Sequence, residues 1–343
     1  MAKHTFWVFL ILVWGGSLQA NLPDFNPEDL TTAPPRIIRT CCAFGADLSM
    51  LGIPGIKVND ITGLEQIGPH TYLGSKAEGN GIIYTRKGGF IDLGHLRDQA
   101  DWTAWLYASI LAHHQQGRWT QKLGVEGGKK TLILDIPAGT DSTDMLLLAG
   151  RIAFDLSAWH EIATWYGAST VPFVSERYSS FSIEDMYSNT LGIVLGMRAL
   201  KSDLPYEEAM TAGITHILDS LEAVPTWDDT FAAMQAVEGV WWTSSKHLPS
   251  GKILLKRALN IQLCQHPYLL PQQAASTEPC TISLEENSRT GIPLTRFYEL
   301  RIRLNHKFNQ RSQILPDGKA YITQYDFTAF VEDIRIQLEQ EEV

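Results

Sequence analysis

Hydrophobic and polar positions divide the chain into stretches of different period. After a Pro-rich polar arm, "NLPDFNPEDLTTAPPRIIRT" (21–40), residues 43–75 carry Gly and Pro among short apolar runs and predict loops and short strands. "GNGIIYTRKGGFIDLGH" alternates like a β-hairpin, with Gly88-Gly89 at its turn. From Leu93 the period changes. "HLRDQADWTAWLYASILAHHQQG" has apolar residues at helical spacing and stops at Gly117. "KTLILDIPAG" reads as a short buried strand. "STDMLLLAGRIAFDLSAWHEIATWYG" predicts a long helix, capped by Ser142 or Thr143 and ended by Gly167. "SFSIEDMYSNTLGIVLGMRALKS" predicts another, opened by Ser182 with Asp185 completing a capping box. "PYEEAMTAGITHILDSLEAV" and "WDDTFAAMQAVEGVWW" add two more. Beyond residue 250, "RFYELRIRL" alternates like a strand, "LPDGKAYIT" suggests a hairpin arm and "QYDFTAFVEDIRIQLEQ" a terminal helix.

The expected fold class is therefore α+β: a predominantly helical block, with short strands and hairpins on its N-terminal and C-terminal sides. The domain reading is a leader over 1–20, an extended arm over 21–40, a mainly helical core over 41–250 that holds the candidate site, and a smaller α+β portion over 251–343 packed on it.

The leader changes where the protein is expected to act. Lys3 precedes an apolar run from Phe6 to Trp14, and small and polar residues follow to Ala20. That is the plan of a signal peptide cleaved near Ala20, so the mature chain is expected to be periplasmic or secreted. The run is short for a membrane span, and no later segment is long and apolar enough, so no stable membrane span is expected after cleavage. The formal net charge of −10, without a Lys/Arg cluster, argues against a nucleic-acid partner. Four cysteines (Cys41, Cys42, Cys264 and Cys280) in an exported chain suggest disulfides, of which Cys264–Cys280 is the simplest. Oligomeric state is not readable.

Three polar clusters interrupt apolar elements. In "GGFIDLGHLRDQADW", Asp92, His95 and Gln99 share a helix face. A carboxylate beside an imidazole orients a base or backs a metal ligand, whereas Asp92 as a helix cap and His95 as a packing residue explain the same spacing. "AWHEIATWYG" begins like a zinc-peptidase helix, but Thr164 stands where the second histidine belongs. His160 can still be one ligand of a site built from separate helices, or a C-terminal helix histidine among tryptophans. Because adjacent helix positions point about 100° apart, His160 and Glu161 are not expected to hold the same ion. "VSERYSSFSIEDMYSN" gathers Glu176, Glu184, Asp185, Ser188 and Asn189 at a helix start; a solvated first turn is the plain alternative. His70, Glu78 and Asn80 are further polar groups that can join a site. "GLEQIG" and "GVEGGKK" lack the spacing of a nucleotide-binding loop.

"RTCCAFG" (39–45), "GNGIIYTRKGGFIDLGHLRDQADW" (79–102), "WHEIATWYG" (159–167) and "SERYSSFSIEDMYSNTLG" (175–192) occur in an order that resembles the DUF4056 family of exported bacterial proteins, over roughly residues 35–330. The resemblance implies an envelope location and no established activity.

The residues thus point to a hydrolase of the cell envelope, acting on a peptide, glycan or lipid. It would be either metal-dependent, with zinc or another divalent ion, or an acid/base enzyme. His95, His160 and Glu176 are the expected metal ligands and Glu161 and Glu184 the catalytic carboxylates, with Asp92, Asp185 and Asn189 in support. Two carboxylates such as Glu176 and Glu184 also suit a glycosidase. The alternative is a non-catalytic envelope protein that binds a glycan, peptide or protein partner, for which ten tryptophans, and the Trp241-Trp242 pair in particular, offer aromatic surface.

Overall fold

The computed structural model describes residues 21–26, 28–39, 44–45, 61–168, 176–246, 250–308, 314–315, 319 and 321–341. The leader, Cys41, Cys42 and residues 316–318 and 320 of the "LPDGKAYIT" arm lie outside them.

The fold is α+β. A hairpin of β1 (Ile82–Thr85) and β2 (Gly89–Asp92) turns at Gly89, whose φ of 65° suits glycine. β2 runs directly into α1 (Leu93–His113). Next come β3 (Trp119–Val125) and β4 (Gly128–Leu134), then α2 (Ser142–Trp165), α3 (Asp185–Leu200), α4 (Tyr206–Ser220) and α5 (Trp227–Gln235). The C-terminal part supplies β5 (Cys264–Gln265), α6 (Pro271–Ala274), β6 (Ile282–Ser283), β7 (Tyr298–Leu304) and α7 (Phe327–Glu341). β7 pairs antiparallel with β4, giving a sheet of order β3-β4-β7. One main apolar core reaches from Ile83 on β1 to Ile334 on α7 and includes Trp102, Trp105 and Trp159.

β3 is absent from the sequence reading. "WTQKLGV" alternates only weakly, with Thr120 and Lys122 exposed, and its pairing partner β4 makes it a strand. The caps also differ from expectation. α2 is capped by Asp141, which accepts the Thr143 and Asp144 N–H groups, rather than by Ser142 or Thr143. α3 starts at Asp185, and only half of the expected capping box forms. The Asp185 carboxylate accepts the Ser182 N–H at 3.0 Å, while the Ser182 hydroxyl turns to Glu184 at 2.6 Å. Cys264 and Cys280 sit beside the β5–β6 pair as free thiols, so the expected Cys264–Cys280 disulfide is not formed. Trp241 and Trp242 are buried; the Trp242 indole donates to the Met234 carbonyl, and the pair offers no exposed platform.

α1 is the centre of the molecule. Every residue from Leu93 to Ile110 is buried, polar ones included. α3 crosses it at backbone contact because Gly192 and Gly196 have no side chains. A methyl at Gly192 would overlap the Leu96 carbonyl, and one at Gly196 would come within 2.9 Å of the Ala100 Cα. This approach brings the first turn of α3 beside the first turn of α1. Gly192→Ala is therefore expected to destabilise the protein by about 1–3 kcal/mol, because backbone cannot rotate aside as a side chain can. Gly213→Ala on α4 would meet only Leu195 Cδ2, at 3.5 Å, and is expected to be neutral or slightly stabilising. Urea midpoints of the two variants check this, and equal midpoints would contradict it.

Candidate metal centre

Asp92 ends β2 and caps α1. Its Oδ1 accepts the Gly94 and His95 N–H groups at 2.7 and 3.1 Å, and its Oδ2 lies 3.0 Å from His95 Nδ1. The capping reading and the histidine-orienting reading are thus both realised by one carboxylate. Its own N–H donates to Ser188 Oγ on α3 at 2.9 Å, which fixes the two helix starts together. Burial alone would lower the His95 imidazolium; Asp92 and then Glu161 outweigh that and raise it to about 9, against opposition from Arg36.

His160, on the last turns of α2, is held by a residue that sequence reasoning missed. Its Nδ1 lies 2.6 Å from Oε1 of Glu126, in the turn between β3 and β4. Lys130 Nζ is 2.6 Å from the other Glu126 oxygen, and the Trp159 indole donates to the Glu126 carbonyl. Burial would raise the Glu126 carboxyl, but Lys130, His160 and Arg36 hold it well below the usual carboxylate range. An ionised Glu126 requires a proton on His160 Nδ1, so whenever the ring is neutral its Nε2 carries the lone pair. The clue lay in "GVEGGKK", where an acidic residue and a lysine four apart flank a glycine turn. Nothing in the sequence says that this turn reaches a histidine 34 positions away.

Glu161 joins both histidines. One ligand atom from each of His95, His160 and Glu161 falls within 4.8 Å of the others. The expectation that His160 and Glu161 diverge is therefore corrected. The angular offset applies at Cβ, and the longer glutamate chain is drawn back by an anchor: its Oε2 accepts the Phe181 N–H at 2.7 Å. Phe181 is fully buried at φ 55°, a conformation unfavourable for a bulky side chain, held here where its N–H meets the carboxylate. Glu161 Oε1 has no hydrogen-bond partner.

The start of α3 is not a solvated turn. Glu184, Asp185, Ser188 and Asn189 are all buried. Asp185 Oδ1 stands 3.7 Å from His95 Nδ1, and Asp92, His95 and Asp185 form a second group with ligand atoms within 4.8 Å of one another. Glu184 Oε1 and both amide atoms of Asn189 lack hydrogen-bond partners. Burial raises the Glu184 carboxyl to about 8, with the Ser182 hydrogen bond opposing and Asp92 adding to it. Burial together with Glu161, Glu184 and Asp92 raises Asp185 well above the carboxylate range.

Other candidates fall elsewhere. Glu176 is half-buried and lines a cavity of about 330 Å³ with Arg36, Glu126, His160 and Thr164; it stands outside both ligand groups. His70, Glu78 and Asn80 belong to a separate network around Arg39. There the guanidinium meets Glu78 at 2.7 Å, Asp98 at 3.0 Å and Asp101 at 2.9 Å, and His70 Nε2 lies 3.0 Å from Asp101. Asn80 donates to Glu78.

The two networks differ in charge. Glu78 is held down at about 2, where the Arg39 hydrogen bond and charge overcome burial. Around His95, Asp92 pairs with the imidazole itself, and Arg257, whose N–H groups go to the Tyr178, Ser180 and Gly251 carbonyls, acts on Asp185 and Glu161 through its charge. Two imidazoles and buried carboxylates, with Glu161 Oε1, Glu184 Oε1 and Asp185 Oδ1 lacking hydrogen-bond partners, are a donor set that suits a divalent cation.

The fold and site define a helix-centred α+β protein with a buried histidine–carboxylate centre. The chain belongs to the DUF4056 family, described as a protein of unknown function, whose model matches residues 29–271. That span takes in every residue of the centre. No curated protein and no solved structure matches the chain.

Histidine-selective ¹⁵N NMR is expected to find neutral His160 as the Nδ1–H tautomer, with that preference lost in Glu126→Ala. An Nε2–H tautomer in the unaltered protein would contradict the assigned role of Glu126.

Proposed function

We propose that this protein is a metal-dependent hydrolase of the cell envelope. The observation that carries the reading is the convergence of His95, His160 and Glu161, each imidazole backed through Nδ1 by a carboxylate. Two nitrogens and one carboxylate oxygen, with a further position left for water or substrate, are the donor set of a catalytic zinc site, and other borderline divalent ions suit it too. A bound ion there supplies a water of lowered pKa and polarises a substrate carbonyl.

The protein residues then have distinct tasks. Glu126 and Asp92 fix the tautomer and aim of the two rings. Glu161 neutralises part of the cation charge while Phe181 N–H holds its other oxygen. Glu184, which burial raises to about 8 and so keeps largely protonated near neutral pH, would be suited to give a proton to the leaving group. Glu176, on the cavity beside His160, is placed to meet the substrate rather than the ion.

The leader-like N-terminus supports an exported, periplasmic or secreted, location. The substrate class follows from that compartment: a peptide, glycan or lipid ester, since hydrolysis needs neither ATP nor a reduced nucleotide.

Plasma mass spectrometry of the purified mature protein is expected to find at least one zinc-like ion per chain, absent from His95→Ala/His160→Ala. Chelation should abolish cleavage of envelope ester, peptide or glycan probes, and added zinc should raise the melting temperature of the stripped protein. Metal-free, folded protein whose melting temperature ignores zinc would overturn the reading.

A further inference from the structure

In the site proposed above His95 would bind through Nε2, and carboxylates also stand around its Nδ1. His95 Nδ1 faces Asp92 Oδ2 at 3.0 Å and Asp185 Oδ1 at 3.7 Å. Bonds of about 2.0–2.2 Å at tetrahedral angles place ligand atoms about 3.3–3.6 Å apart. The two distances at Nδ1 bracket that spacing, and the ligand atoms of Asp92, His95 and Asp185 all lie within 4.8 Å of one another.

Each carboxylate divides its oxygens in the same way. Asp92 gives Oδ1 to the cap of α1, Asp185 gives Oδ2 to the Ser182 N–H, and Glu161 gives Oε2 to the Phe181 N–H. Of the second oxygens, Asp92 Oδ2 faces His95 Nδ1, and Glu161 Oε1 and Asp185 Oδ1 have no hydrogen-bond partner. Asp185 Oδ1 has no hydrogen-bond partner although the residue is only 2% exposed. Asn189, one turn further along the same face of α3, is fully buried with neither amide atom bonded. Its carbonyl oxygen is a ready fourth ligand or an anchor for a bound water. A buried amide left without partners costs free energy unless something else occupies its neighbourhood.

We infer that a second divalent cation binds between Asp92, His95 and Asp185, so that the centre is dinuclear and His95 links its two ions. The inference rests on the first site being a metal site. Binding balances simply: the Nδ1–H bond of His95 breaks, its proton leaves to solvent, and Nδ1 forms a coordinate bond to the second ion while Nε2 serves the first.

The test is zinc stoichiometry of the full mature chain, loaded with zinc chloride and freed of excess by gel filtration. About two ions per chain are expected in the unaltered protein, about one in His160→Ala, about one in Asp185→Asn, and none retained in His95→Ala. Asp185→Asn keeps an oxygen for the Ser182 N–H, and circular dichroism confirms its fold. About one ion in the unaltered protein, still held by Asp185→Asn, would overturn the second site and leave the first standing. About two ions kept by Asp185→Asn would also overturn it, by placing the second ion elsewhere. No retained zinc would end both readings.

Discussion

From Leu93 to Ile110 every residue of α1 is buried, and each polar side chain on it must find its partner inside the protein. That constraint organises the molecule. Toward the N-terminal arm, Asp98 and Asp101 are met by Arg39, which also takes Glu78, and the charges close on themselves. Toward α2 and α3, Asp92 and His95 are met by Glu161, Glu184 and Asp185, and burial with carboxylate repulsion raises Glu184 and Asp185 above the usual carboxylate range. Two flanks of one helix obey the same electrostatics, and the one toward α2 and α3 carries the ligand-like atoms.

The geometry of that flank comes from several weak constraints acting together. Gly192 lets α3 touch the α1 backbone, and Ser188 ties the two helix starts. Phe181 accepts a strained conformation and gives its N–H to Glu161. The β3–β4 turn brings Glu126 and Lys130 to His160. Four separate parts of the chain thus fix donor atoms within a few ångströms. Such preorganisation is what a catalytic site requires and what a merely solvated cluster would lack.

Much of this was legible in the sequence, and the reasons for the rest are physical. Helical periodicity located α1 to α5 and α7, because each buries a broad apolar face. The density of His and acidic residues at helix ends marked His95, His160, Glu161, Glu184, Asp185 and Asn189, which the fold does bring together. Glu176 carried the same local signal yet lines a neighbouring cavity, since spacing does not reveal direction where the chain leaves a helix. Glu126 was marked only by its spacing to Lys130 across a glycine turn, because its role depends on that turn meeting a helix far along the chain. β3 was missed because its strand character comes from pairing rather than composition. The free state of Cys264 and Cys280 likewise follows from where β5 and β6 place them, not from an even cysteine count.

X-ray absorption at the zinc edge of the zinc-loaded protein probes the centre most directly, because it reads the ligands themselves. A shell of nitrogen and oxygen at about 2.0–2.2 Å with outer scattering from imidazole rings, and loss of the bound zinc in His95→Ala, is the predicted result. A sulfur shell at about 2.3 Å, or an oxygen shell without imidazole scattering, would place zinc away from His95 and His160 and contradict the account.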